Sequence, residues 1–344
     1  MNTQTRLHRF NVVDPVHGTA SALALEPSVL SSALPLCLFL YGGGGSSESL
    51  AEIQPLFETW WAAGKLPAML VATVDVGPWS FYLDDPVRGL AWETLVAERF
   101  VAQLRDEFSV AITPAATALV GNSMGGYGAL KIALARPDAF AAVAAISPMI
   151  EPCFEAADVR PRNRYHYPPG VPHALLGAER DAELYRSDHP AARAVRGADA
   201  LRSAELGIYI DAASMDALHA HDGAEHLHRV LWELDVTHEY RLRGDADHIG
   251  PGFIERLFEA FAWVASRIDA RPEPVLTEPE RAWQQWLDGQ AEQPPSTALA
   301  PTSRLFPSLL RQQLAAAREQ AQRQDSTFGR RYGLLPGGPS RGAG

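Results

Sequence analysis

Cysteine is nearly absent. Cys37 and Cys153 are the only two in 344 residues, too few for the disulfide framework that staples small secreted domains. A bond between them stays open, although Cys37, inside the apolar run 36–40, reads as a small buried hydrophobe. Basic charge is also short. Thirty Lys and Arg face 41 Asp and Glu, a formal net charge of −11, whereas a nucleic-acid reader needs a basic surface. Only Lys65 and Lys131 are lysines, a coding bias rather than a chemical signal. No run of 18 apolar residues occurs, so no transmembrane helix is expected. The polar N-terminus carries no secretory signal, which points to the cytoplasm. No repeat is visible. What is present is 47% apolar and 21% charged residues, the balance of a folded chain long enough to bury a large core.

Short runs, apolar on both faces, alternate with helix-length segments. The strand candidates are 36–40, 68–75, 117–120, 141–146, 206–211 and 236–242; the helix candidates are 49–62, 92–108, 125–135, 222–234 and 252–268. This alternation predicts an α/β fold with a mostly parallel, doubly wound sheet and helices on both faces. Segments 7–13 and 20–25 alternate more weakly and suggest an antiparallel edge hairpin. Residues 151–205 break the rhythm and read as a cap-like insertion in an α/β domain spanning 1–271. Pro-rich stretches then open a C-terminal extension, 272–332, with a helix candidate at 307–324. Its thin apolar stripe suits docking, including a homo-oligomer contact. Residues 333–344, rich in Gly, Pro and Ser, are expected to be disordered.

The sharpest motif is Gly121-Asn122-Ser123-Met124-Gly125, a G-x-S-x-G between a strand and a helix. Small residues on either side let the chain turn sharply and lift the Ser123 hydroxyl over the sheet edge, a nucleophile's position. Gly42 to Gly45 follow the first apolar strand and offer approachable backbone N–H groups. Gly43, with the N–H of Met124, is the candidate oxyanion site; the run lacks the G-K-[ST] ending of a phosphate loop. The base belongs in a loop after the last strand, where His248 sits. His219, His221, His226 and His228 crowd one helix but lack the H-E-x-x-H spacing of a metal site, and His238 reads as structural. For the acid, Asp216 in the loop after strand 206–211 is favoured over Asp211, Asp245 and Asp247. Tyr41, Gly44 and Trp79 are candidate substrate-binding residues. Trp79, Phe81, Tyr82 and Trp92 suit either a pocket or the core, with core packing favoured.

Segments 40–45, 80–84, 92–94, 121–130, 144–148, 209–218 and 236–248 together resemble the Putative esterase family of α/β-hydrolases, over roughly residues 5–270. That family includes feruloyl and acetyl-xylan esterases, esterase D or S-formylglutathione hydrolases, and mycolyltransferases. The resemblance implies the α/β-hydrolase fold and a triad of Ser123, Asp216 and His248. The family's D-x-x-x-x-D-like acid loop supports Asp216 over Asp211. It further implies cleavage of carboxylic esters through an acyl-enzyme, chemistry that calls for neither metal nor organic cofactor. Acyl transfer to a sugar or alcohol on the same triad is the alternative, and a silent binding protein is a remoter one. One departure is Tyr41, where the family often has His before its first glycines.

Overall fold

The computed structural model describes residues 5–28, 34–108, 110, 113–164, 182–268, 281–282 and 285–286. The chain divides into two units, Met1–Ala270 and Arg271–Gly344. The helix candidate at 307–324 and the tail 333–344 lie outside the described residues, as does the 165–181 part of the expected insertion.

The first unit is built on an eight-stranded sheet. In chain order its strands are β1 (Arg6–Asp14), β2 (Gly18–Glu26), β3 (Leu36–Leu40), β4 (Leu70–Val74), β7 (Thr117–Asn122), β8 (Ala142–Ile146), β9 (Gly207–Ala213) and β10 (Glu239–Arg243). A two-residue pair, β5 (Asp84–Asp85) and β6 (Leu90–Ala91), lies outside it. The spatial order is β1-β2-β4-β3-β7-β8-β9-β10. The β1–β2 hairpin is antiparallel and joins β4 antiparallel; all other pairs are parallel. Every residue of β3, β4, β8 and β9 is buried, as expected of parallel strands covered by helices on both faces. This is the α/β-hydrolase fold.

The helices are α1 (Ser49–Ala62), α2 (Trp92–Thr94), α3 (Val101–Glu107), α4 (Met124–Ala135), α5 (Ala182–Asp188), α6 (Pro190–Arg196), α7 (Ala198–Ser203), α8 (Ala220–Glu233) and α9 (Phe253–Ile268). The expected helix 92–108 is one helical run interrupted by a π turn at Leu95–Phe100, a register change that apolar spacing does not reveal. In α9, Leu257, Ala260, Phe261, Val264, Ala265 and Ile268 form one buried stripe. Phe261 meets Phe57 of α1 edge-on at 4.8 Å, and burying such a side chain is worth about 1.5–3 kcal/mol. Within the span expected to be a cap, α6 packs on α4 and α8. That part of the segment is therefore a crossover helix of the β8-to-β9 connection; its apolar content was too short and Arg-interrupted to read as one. Cys37 and Cys153 are both free thiols.

Candidate active site

Because β3, β7, β8, β9 and β10 run parallel, the loops leaving their C-terminal ends gather at one sheet edge, where such folds bind ligands. Ser123 sits there at the start of α4 with φ +56° and ψ −119°. A non-glycine residue in that region stores about 1–3 kcal/mol of strain. The surroundings over-determine it: its N–H donates to the Ile146 carbonyl at 2.8 Å, and its carbonyl accepts from Tyr127 and Met149 N–H at 3.0 and 3.2 Å. Gly125 is required by close approach. A Cβ there would lie 1.9 Å from the Leu40 carbonyl oxygen.

The fold brings His248 and Asp216 together at Ser123. The imidazole Nδ1 lies 2.7 Å from Asp216 Oδ2 and Nε2 lies 2.9 Å from Ser123 Oγ. A carboxylate only accepts, so Nδ1 carries the proton and Nε2 faces the hydroxyl as an acceptor. Asp216 is buried, and its other oxygen accepts from the Leu218 N–H at 2.8 Å. Burial alone would raise its carboxyl; the bond to His248, the imidazole's charge and the N–H groups of Leu218 and Ala220 outweigh that and hold it below the ordinary range. Asp247 Oδ1 accepts from the His248 N–H at 2.6 Å and the Ala217 N–H at 3.0 Å, tying the His248 loop to the Asp216 loop. Asp211 is excluded as the partner of His248. It is fully buried between Arg243 and Arg256, whose Nε atoms donate to its two oxygens at 2.8 and 2.6 Å. Asp245 is a left-handed turn residue with φ +60°.

Within the glycine run, the Gly44 N–H is committed to the Pro78 carbonyl (2.8 Å) and the Gly45 N–H to the Gly42 carbonyl (3.1 Å). Among the described residues no acceptor takes the N–H of Gly43 or Met124. Both residues border, with Ser123 and His248, a cavity of about 750 Å³. Trp79 lies against Gly43, so near that a Cβ there would be 2.4 Å from the ring. Trp79, Phe81, Met149, Leu218, Ile249 and Phe253 give the cavity a mainly apolar wall.

Tyr41 and Gly44, the other candidate substrate-binding residues, both border this cavity. The Tyr41 hydroxyl is not offered to a ligand: it accepts from the Val76 N–H at 2.8 Å and is within reach of Asp75 and the Gly77 carbonyl, pinning the loop after β4. Gly44 borders the cavity, but its N–H is already used. Of the ambiguous aromatics, Phe81 lines the cavity, Tyr82 is buried with its hydroxyl on the Tyr41 carbonyl, and Trp92 stacks on His17 at 3.4 Å. The four clustered histidines go to different partners: His219 and His221 meet edge-on at 5.8 Å, His226 packs on Phe154, and His228 bonds His238.

The Putative esterase family model matches residues 50–263, more than half of the chain. The chain belongs to that family. It is a carboxylic ester hydrolase. No curated protein matches the sequence. Among solved structures, the esterase is similar to a ferulic acid esterase (TM-score 0.63, 19% identity, covering 78% of this chain and 100% of that one). It is also similar to an S-formylglutathione hydrolase from Agrobacterium tumefaciens (0.60, 18%, 78% and 97%). A third is the fluorophosphonate-binding serine hydrolase F of Staphylococcus aureus (0.60, 17%, 76% and 98%). At these identities the likeness is one of fold.

Sequence reasoning missed a buried ion network behind the esterase's elbow. Lys131 of α4 lies 2.7 Å from Asp188 and 3.2 Å from Glu93; Arg193 and Arg136 also pair with Glu93, and the Tyr127 hydroxyl donates to Asp188. The signal was present in Lys131, a lone charge in an apolar helix. Such a residue is buried only when paired.

Proposed function

We propose that the esterase works through an acyl-enzyme on Ser123, the reading carried by the continuous Asp216–His248–Ser123 hydrogen-bond chain. Ser123 Oγ attacks the ester carbon as its proton passes to His248 Nε2. The carbonyl oxygen becomes an oxyanion and accepts from the Gly43 and Met124 N–H groups, with the N-terminus of α4 behind them favouring negative charge. Collapse breaks the bond to the alcohol, which leaves with the proton from His248. Water then gives a proton to His248 and attacks the acyl carbon; the Ser123–acyl bond breaks, Ser123 recovers its proton, and the acid departs. Asp216 holds the imidazole in one tautomer and stabilises the imidazolium.

The mainly apolar cavity supports an apolar or aromatic acyl group, as in a feruloyl-esterase-like substrate. A very small acyl group, as in an esterase D-like substrate, leaves most of the volume unfilled. The test joins two measurements. Fluorophosphonate labelling followed by peptide mass spectrometry should modify Ser123, and Ser123→Ala should abolish it. A panel of feruloyl, p-nitrophenyl and S-formylglutathione esters should then rank the acyl groups. Labelling elsewhere, or full turnover by Ser123→Ala, overturns the reading.

A further inference from the structure

Arg256 is buried in the first turn of α9, eight residues beyond His248, and its side chain is 5% exposed. Its guanidinium reaches three separate segments. Nε donates to Asp211 Oδ1 at 2.6 Å, Nη1 to the Asp247 carbonyl at 2.9 Å and Nη2 to Ser147 Oγ at 2.7 Å. Each segment leads to one member of the candidate triad. Asp247 directly precedes His248. Asp211, inside β9, precedes the loop that carries Asp216. Ser147 follows β8 with φ +43° and opens the stretch in which the Met149 N–H closes on the Ser123 carbonyl. The Ser147 N–H itself donates to the Asp211 carbonyl at 2.7 Å.

We propose that Arg256 is a positioning residue for ester cleavage, one rigid fork that sets the three loops relative to one another. The inference rests on the triad reading above. The planar guanidinium presents its donors in fixed directions, so the bonds form together only in one arrangement of the loops. Lysine offers a single flexible ammonium and cannot reproduce it. Stability alone does not require this design, because Arg243 already pairs with Asp211 at 2.8 Å. What Arg256 adds is the link to the Asp247 carbonyl, hence to the peptide that carries the His248 ring. A displacement of about 1 Å at such a group costs on the order of 10²-fold in rate.

The test compares the full-length wild-type protein with Arg256→Met, Arg256→Lys and Ser147→Ala, using a p-nitrophenyl ester and a fluorophosphonate. The fraction of reactive molecules is counted by active-site titration, so that kcat is expressed per reactive site. Arg256→Met should lower kcat per site about 10²-fold, with KM changed less than about threefold and labelling slowed in parallel. Arg256→Lys should recover part of the loss. Ser147→Ala removes one bond without leaving a buried charge alone and should lower kcat a few-fold. It decides the matter if Arg256→Met does not fold. A merely structural role predicts fewer reactive sites, each turning over at the wild-type rate, and that result overturns the proposal. Failure of the triad reading is separately visible as turnover by Ser123→Ala.

Discussion

Replacing Asp216 by Asn tests the acid assignment in a way the local hydrogen bonds make quantitative. Asp216 Oδ2 faces His248 Nδ1 at 2.7 Å while Oδ1 accepts from the Leu218 N–H at 2.8 Å. An amide has one acceptor end and one donor end. The Leu218 N–H requires the acceptor at the Oδ1 position, so the amide NH₂ must face Nδ1. The imidazole can accept there only by moving its proton to Nε2, which then points an N–H at Ser123 Oγ and can no longer take its proton. Such a tautomer reversal costs about 10³- to 10⁴-fold in kcat, or about 4–5.5 kcal/mol of activation free energy. Asp211→Asn is the internal control. It leaves the buried guanidinium of Arg256, and the partly exposed one of Arg243, facing a neutral amide, which should destabilise the fold by about 3–5 kcal/mol. Folded molecules should lose less than about tenfold in kcat, because Arg256 keeps the Asp247 carbonyl and Ser147. Initial rates per titrated site and urea unfolding curves give both quantities for both variants. If Asp211→Asn loses more kcat per site than Asp216→Asn, the reasoning is refuted.

Ser123→Ala should lower ester turnover by on the order of 10⁴-fold or more while far-UV circular dichroism stays native; Ser123→Gly should be equally inactive yet more stable by about 1 kcal/mol in urea, since glycine relieves the φ of +56°. Gly125→Ala places a methyl 1.9 Å from the Leu40 carbonyl oxygen and should yield insoluble protein or one with a markedly lower Tm; a variant with wild-type Tm and turnover contradicts the tight elbow. Glu93 supplies a pH test. Burial would raise its carboxyl, but the charge of Lys131 and the bonds and charges of Arg193 and Arg136 hold it down at about 2, below the roughly 4.3 of an unfolded glutamate. Its contribution is therefore fully present above the unfolded value and lost as pH falls toward about 2. Glu93→Gln should lower Tm at pH 7, with a deficit that shrinks steadily below pH 4; a deficit independent of pH contradicts the charge pairing.

Several features were legible in the residues alone. Runs such as 36–40 and 141–146 are apolar on both faces because parallel strands have no solvent side, and the glycines around Ser123 are small because the strained turn leaves no room for Cβ atoms. The order Ser123, Asp216, His248 follows from loops that leave successive strands at one edge, so the family and the candidate triad could be named before any coordinates. Other features depend on groups distant in sequence. Asp211 and Asp216 are both acids near the end of one strand. Only the side chains of Arg243 and Arg256, arriving from β10 and α9, bury the first as an ion pair and leave the second to His248. Tyr41 looked available to a ligand until the loop after β4 closed on its hydroxyl. Of the four glycines in the run, the tertiary turn commits the N–H groups of Gly44 and Gly45 and leaves that of Gly43 without an acceptor among the described residues. Periodicity and spacing record what each segment needs from its own neighbours in sequence. The partner of a hydrogen bond that spans a hundred residues is decided by packing, and only the folded chain shows it.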